Sequence, residues 1–293
     1  MRIWLMAARP RTLPAAIAPV LVGTAAAVQW AGELPRWGAF LAALVGSIFI
    51  QIGTNLANDY SDAKRGADTA DRLGPVRVTA SGMVTPQRVM TATWIAFAVA
   101  VACGIYLTVV AGPVILLIGA LSIAAGVLYT GGPRPYGYAG FGEVFVFLFF
   151  GLVAVNGSYY VQLEELDALP LGLSISIGFL ATAIIVVNNV RDVETDRRAG
   201  KNTLAVRIGR ERAVRLYGLL VLGAFVTLPI ALWAGDSSWL PLIGLLAAPL
   251  ALKPYRTLLE RRDGPALNGV LAATGGVLAV FSLLVTAGLL ISA

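Results

Sequence analysis

The sequence predicts an all-α, polytopic membrane protein. Of its 293 residues 58% are apolar and only 13% charged, and the mean hydropathy is +0.79, a composition outside the soluble range. The apolar residues also come in runs of about twenty, which at 1.5 Å per helical residue covers a hydrocarbon core roughly 30 Å thick.

The chain opens with Met1-Arg-Ile-Trp4-Leu-Met-Ala-Ala-Arg9-Pro-Arg11. Its apolar stretch is too short for a signal peptide and is interrupted by Arg9 and Arg11. Arg2, Trp4 and Arg9 instead suit a short segment lying at the interface. Nine spans follow, at roughly 12–30, 37–57, 91–110, 113–129, 142–161, 170–189, 213–234, 238–254 and 267–291. Ala111-Gly112 alone separates the third from the fourth, so these two form a tight hairpin. The eighth is short and interrupted by Pro241 and Pro249.

Nine spans put the termini on opposite sides, and charge says which side is which. All but one of the 22 Lys and Arg fall on one face: in the N-terminal segment, the 58–90, 130–141 and 253–266 loops, and the 190–212 loop with the adjoining start of span seven. The other face holds Arg36 with Glu33, Glu164, Glu165, Asp167 and Asp236. By the positive-inside rule the basic face and the N-terminus are cytoplasmic. The basic excess is thereby read as topogenic, and no nucleic-acid partner is expected. A single cysteine, Cys103, and no histidine exclude an intrachain disulfide, thiolate metal sites and imidazole chemistry. Any metal must be a hard, oxygen-bound one.

Two polar clusters close the second and sixth spans. The first is Asn55-Leu-Ala-Asn58-Asp59-Tyr-Ser-Asp62-Ala-Lys64-Arg65-Gly66-Ala-Asp68, the second Asn188-Asn189-Val-Arg191-Asp192-Val-Glu194-Thr-Asp196. Both lie at helix C-termini on the basic face, where partial negative charge and free carbonyls favour a cation. Asn188, Asp192 and Asp196 stand at i, i+4 and i+8 on one helical stripe, and Asn58 and Asp62 repeat the step. The clusters read as a parallel duplication, with either Asn55/Asp59 or Asn58/Asp62 matched to Asn188/Asp192. Carboxylates gathered without a cation would raise one another's pKa values. A hydrated Mg²⁺ against a diphosphate relieves that repulsion. The competing reading is an interfacial charge cluster paired with Arg65, Arg191 and Arg197, and the doubling on one face favours the metal site.

Lys64, Arg65, Arg134, Arg191 and Lys201 are candidates to counter phosphate charge. Arg134 is the one basic residue of the loop Tyr129-Thr-Gly-Gly-Pro-Arg134-Pro-Tyr136-Gly-Tyr138-Ala-Gly-Phe-Gly-Glu143. Its glycines let backbone approach a ligand and its prolines stiffen it. Tyr129, Tyr136 and Tyr138 suit a cation or a planar aromatic substrate.

Asn58-Asp-Tyr-Ser-Asp62 with Gly66 and Asp68, the Asn188/Asp192/Asp196 stripe and the nine-span layout resemble the UbiA superfamily of intramembrane aromatic prenyltransferases. Three further stretches are similar to the branch that prenylates 1,4-dihydroxy-2-naphthoate in menaquinone synthesis: Ala8-Arg-Pro-Arg-Thr-Leu-Pro14, Gly131-Gly-Pro-Arg-Pro-Tyr-Gly-Tyr138 and Asp196-Arg-Arg-Ala-Gly-Lys201-Asn-Thr-Leu204. The likeness covers nearly the whole chain. It implies one transmembrane prenyltransferase domain over 1–293, a UbiA-like helical bundle with motif loops 55–90 and 188–212 on the cytoplasmic face of a bacterial plasma membrane. It further implies Mg²⁺ held on a polyprenyl diphosphate by Asp59, Asp62, Asp68, Asp192 and Asp196, assisted by Asn58 and Asn188. Asp59, Asp62, Asp192 and Asp196 would carry catalysis, Lys64, Arg134 and Lys201 would neutralise the diphosphate, and Tyr129 and Tyr136 would line the substrate site. The superfamily pattern places a third Asp four residues after the second, where this chain has Gly66 with Asp68 two further on. Asp62 and Asp68 both remain candidates for direct ligation.

The implied product is demethylmenaquinol, formed with loss of CO₂. Hydroxybenzoate or homogentisate is the alternative acceptor. A transporter is the alternative class, but its carboxylates belong near the midplane on broken helices, commonly within inverted repeats. Here the acids lie at one surface, in a parallel repeat.

Overall fold

Lipid offers no partner for backbone N–H and C=O groups, so a chain this apolar closes its hydrogen bonds within helices. In the computed structural model residues 2–67 and 73–293 are described, and no strand occurs among them. The helices are α1 (Arg2–Ala8), α2 (Leu13–Ala31), α3 (Trp37–Lys64), α4 (Pro86–Ala111), α5 (Val114–Leu128), α6 (Gly142–Val146), α7 (Ala154–Leu163), α8 (Ala168–Arg198), α9 (Leu204–Ile208), α10 (Arg210–Ala234), α11 (Leu252–Glu260) and α12 (Gly264–Ile291). A π-helical stretch, Phe147–Val153, joins α6 to α7, and a 3₁₀ helix, Leu240–Ala251, leads into α11. The latter is the span that carries Pro241 and Pro249.

Among the described residues eight helical segments are long and apolar enough to cross a membrane, and the chain is a multi-pass membrane protein. The expected fourth span is the shorter α5, of 15 residues. At 1.5 Å per residue it reaches about 22 Å, less than a full hydrocarbon core. The hairpin before it is as expected: Gly112, at φ +89°, closes α4 by donating to Thr108 O.

α8 is the central helix, with 72% of its apolar window inside the protein against 28% for α4. It packs with α2, α10 and α12 around Val22, Leu173, Ile177, Leu180, Leu228 and Phe281. Its approach to the π-helix is a backbone contact. A Cβ at Gly151 would lie 2.6 Å from Gly178 Cα, and one at Gly178 would lie 2.8 Å from the Phe147 ring. Glycine pairs are how helices come this close in a membrane.

The bundle has two distinct polar ends. At one, Arg36 N–H donates to Gln162 Oε1, the Arg36 guanidinium pairs with Glu164, and Gln29 bonds both Ser237 and Ser292. At the other, the C-terminal ends of α3, α5 and α8 meet.

Candidate active site

α3 and α8 run several residues past their apolar stretches and stop in the same way. In α3, Ala67 N donates to Asp62 O and Gly66 N to Ala63 O; in α8, Lys201 N donates to Asp196 O and Gly200 N to Arg197 O. Gly66 and Gly200 take φ of +64° and +72°. These are two Schellman motifs, each closed by a residue that tolerates the left-handed conformation. They align Asp62 with Asp196 and Asn58 with Asp192. The repeat is therefore in a different register from either sequence pairing, because the helix ends, and not the first Asn–Asp pair, are what the two halves share.

That register leaves Asp59 off the shared stripe. Its carboxylate, 2% exposed, accepts from Val78 N–H at 3.1 Å and Thr79 N–H at 2.9 Å. Asp59 thus holds the loop after the first cluster against α3. The residue just before them in that loop, Arg77, lies against Asp62 Oδ2 at 3.0 Å.

Asp62, 1% exposed, is where the two motifs meet. The Tyr138 hydroxyl donates to its Oδ1 at 2.6 Å and Lys201 Nζ lies 3.4 Å from the same oxygen. Lys201 also sits 4.6 Å from the centre of the Tyr138 ring, and Asn202 N–H donates to Tyr138 O. Thr130 donates to Asn58 Oδ1 at 2.8 Å, and Arg65 reaches Gly132 O. In the second motif Arg191 grips Asp192 with two hydrogen bonds of 2.5 and 2.8 Å and also donates to Asn188 and Asn268. Such bidentate, charge-assisted pairs are the strong ones. Asp196 is half-buried and lies 3.5 Å from the Thr203 hydroxyl. Lys64 and Arg134 are exposed and join none of these contacts. Asp68 lies outside the described residues.

Membrane-inward of the acids lies a cavity of about 250 Å³, with Asn58 and Asn188 on its lining. Tyr129, Tyr136, Phe145 and Phe149 supply aromatic walls. Tyr136 stacks on Phe145 with ring centres 3.9 Å apart and meets Tyr129 edge-on at 5.5 Å. Burial pushes the Tyr136 phenol above its ordinary value, which keeps it a neutral donor, here to Ala125 O. The π-helix presents Phe149 and Phe150 to the cavity, a common use of this wide turn at functional sites.

The donors around Asp62 and Asp192 are all of the kind a hard cation takes: oxygens, with no histidine in the chain and Cys103 away in α4. They are not gathered into a ligand set. Among the described residues no group of three carboxylates is arranged to hold a metal. Arg77, Lys201 and Arg191 stand against the carboxylates instead.

Residues 16–271 match the UbiA prenyltransferase family. The chain belongs to that family. It is 45% identical to the 1,4-dihydroxy-2-naphthoate octaprenyltransferase of Mycobacterium tuberculosis, over 98% of this chain and 96% of that one. Identity to the enzyme of the same name from Escherichia coli is 39%, over 99% and 95%. Among solved structures, a UbiA homolog from Archaeoglobus fulgidus bound to GPP and Mg²⁺ matches with a TM-score of 0.69 at 18% identity, covering 98% of this chain and 99% of that one. The apo UbiA homolog from Aeropyrum pernix K1 matches at 0.66 and 13%, covering 99% and 98%. The chain is a UbiA-fold prenyltransferase.

Three contributors to the site are not among the candidate site residues offered by the sequence. Arg77 is one of several basic residues in a topogenic loop, and its approach to Asp62 depends on the Asp59 anchor. Arg9 lines the cavity from a segment that reads as interfacial. The third is the phenylalanine wall of the π-helix, indistinguishable in composition from any lipid-facing run.

Proposed function

We propose that this UbiA-family protein transfers a polyprenyl group from polyprenyl diphosphate to 1,4-dihydroxy-2-naphthoate, with loss of CO₂, giving demethylmenaquinol. The observation that carries the reading is the meeting at Asp62 of both motifs, directly above an aromatic-walled cavity. It agrees with the activity for which relatives matching nearly the whole of this chain are named.

Cleavage of the allylic C–O bond sends its electron pair out with pyrophosphate. Lys201 and Arg77 counter the charge that develops there, and Tyr138 orients Asp62. Tyr129, Tyr136 and the Phe145–Phe149 pair offer π faces to the allylic cation. The electron-rich ring attacks through the carbon that bears the carboxylate. The C–CO₂ electron pair then returns to the ring, and aromaticity is restored. Mg²⁺, which Asp62, Asp68, Asp192 and Asp196 would hold with Asn58 and Asn188, supplies further positive charge for the diphosphate. Asp59 acts through the loop it anchors.

The active site is proposed to face the cytoplasm of a bacterial cell, with nine passes. Two facts support that reading: the basic residues cluster at the acidic-motif end, and the chain termini lie at opposite ends, Ala8 bonded to Asn55 and Ser292 to Gln29.

The test supplies membranes containing the protein with 1,4-dihydroxy-2-naphthoate, an isoprenyl diphosphate and Mg²⁺. A prenylated naphthoquinol and CO₂ are expected, lost on chelation by EDTA and restored by added Mg²⁺. Prenylation of 4-hydroxybenzoate in place of the naphthoate would overturn the acceptor, and turnover unaffected by EDTA would overturn the metal.

A further inference from the structure

We propose that Asn268 of α12 is a positioning residue for the second acidic motif. Its side-chain amide sets Arg191, and through it Asp192 and Asn188, for the binding of diphosphate. This inference rests on the prenyl-transfer reading above.

Arg191 is only 3% exposed, and a guanidinium taken out of water needs acceptors around it. It donates through Nε and Nη2 to the two Asp192 oxygens, and through Nη2 to Asn188 Oδ1 at 2.8 Å. Those acceptors belong to α8 itself. The Nη1 edge donates to Asn268 Oδ1, also at 2.8 Å, which belongs to another helix. Contacts within α8 let the guanidinium and the Asp192 carboxylate swing together, whereas the contact to α12 holds the pair in one place. Asn188 lines the cavity and Asp192 is among the oxygens proposed to hold Mg²⁺. Their placement therefore decides how well a metal-bound diphosphate is held.

The Asn268 amide is in turn fixed from its other end. Nδ2 donates to Leu73 O at 3.0 Å, and few side chains can accept and donate from one planar group as Asn does. Gly264, one turn earlier on the same face of α12, lets Leu73 come close. A Cβ there would lie 3.1 Å from both Leu73 Cβ and Leu73 O. Leu73 belongs to the loop whose Arg77 stands against Asp62 and whose Val78 and Thr79 amides hold Asp59. That loop is thus tied to α3 on one side and, through Asn268, to Arg191 on the other. The two motifs are joined by hydrogen bonds outside their own helices, and Asn268 is the link between them.

The experiment measures binding of two probes to the purified full-length protein in detergent: pyrophosphate with Mg²⁺ present, and 1,4-dihydroxy-2-naphthoate. Asn268→Leu, similar in size and without either polar group, is expected to weaken pyrophosphate by about 10- to 100-fold, the factor one hydrogen bond to a charged group contributes. Naphthoate binding should stay within about twofold, as for a site the change does not touch. Asn268→Asp keeps an acceptor for Arg191 and should recover part of the loss. In an Arg191→Lys background, which lacks the Nη1 contact, Asn268→Leu should cost less than about threefold more, the non-additivity of residues that act as one unit. Unchanged pyrophosphate binding in Asn268→Leu, equal weakening of both probes, or full additivity with Arg191→Lys overturns the proposal. Should Asn268→Leu lose its fold by thermal melting, Asn268→Ser, too short to reach Arg191, serves the same comparison. If the wild type binds pyrophosphate but not the naphthoate, the acceptor reading fails while Asn268 is still judged on pyrophosphate.

Discussion

Asp62 and Asp192 each spend their charge on neighbours that a loaded site would share with a diphosphate. Asp62 faces Arg77, Lys201 and Tyr138; Asp192 faces Arg191. Removing one carboxylate leaves its buried arginine uncompensated and takes away an oxygen donor. Asp62→Ala and Asp192→Ala are expected to lower kcat by about two orders of magnitude or more, with the protein still inserted in the membrane. Single-turnover assays on membranes with matched protein content check this; full activity in either variant would remove the acids from the mechanism. At this scale the sequence singled out both acids and, of the cations in contact with them, Lys201 and Arg191. Lys201 was legible because it follows the second motif directly. Arg77 was not, since nothing local separates it from Arg88 in the same loop.

Among the elements, the π-helix and α8 set the shape of the cavity. Their contact at Gly151 and Gly178 leaves no room for a side chain: a Cβ at Gly151 would also come within 2.7 Å of Ser174 O. Gly178→Leu should force the two apart, destabilise the fold by about 1–3 kcal/mol as an overpacked core does, and displace Phe149 and Phe150. A fall in Tm in detergent, together with a larger loss of kcat/KM than Tm alone accounts for, is the expected pair of readings. An unchanged Tm would mean that the contact is not tight. Helix continuity was readable from the i, i+4, i+8 stripe, which requires α8 to run through Asp196. The π turn was not, because Phe-Leu-Phe-Phe-Gly-Leu-Val satisfies α-helical and π-helical hydrogen bonding alike.

For the whole molecule, the direction of the chain through the bilayer is the testable quantity. On a Cys103→Ala background, a cysteine replacing Glu165 should react with a membrane-impermeant maleimide in intact cells. One replacing Lys64 should react only after permeabilisation. The reverse pattern would invert the topology and put the acidic motifs outside. The short α5 is the element on which an odd number of passes depends. The chain leaving its C-terminal end joins the motif face through Thr130, which donates to Asn58, although its length alone falls short of a full span.

Hydropathy and the two acidic motifs were enough to determine the class and the family, because each acts along the chain: an apolar run must be a helix in lipid. Tertiary structure decided what those properties do not encode. It set the register of the repeat through the two Schellman ends, put the Asp59 carboxylate on the Val78 and Thr79 amides, and brought Arg77 and Lys201, not Lys64 or Arg134, against Asp62. Those outcomes depend on which loops meet over the ends of α3, α5 and α8, and that is settled by helix packing. The first motif, read along the chain as one row of acids, is in three dimensions divided between holding a loop, through Asp59, and meeting the second motif, through Asp62.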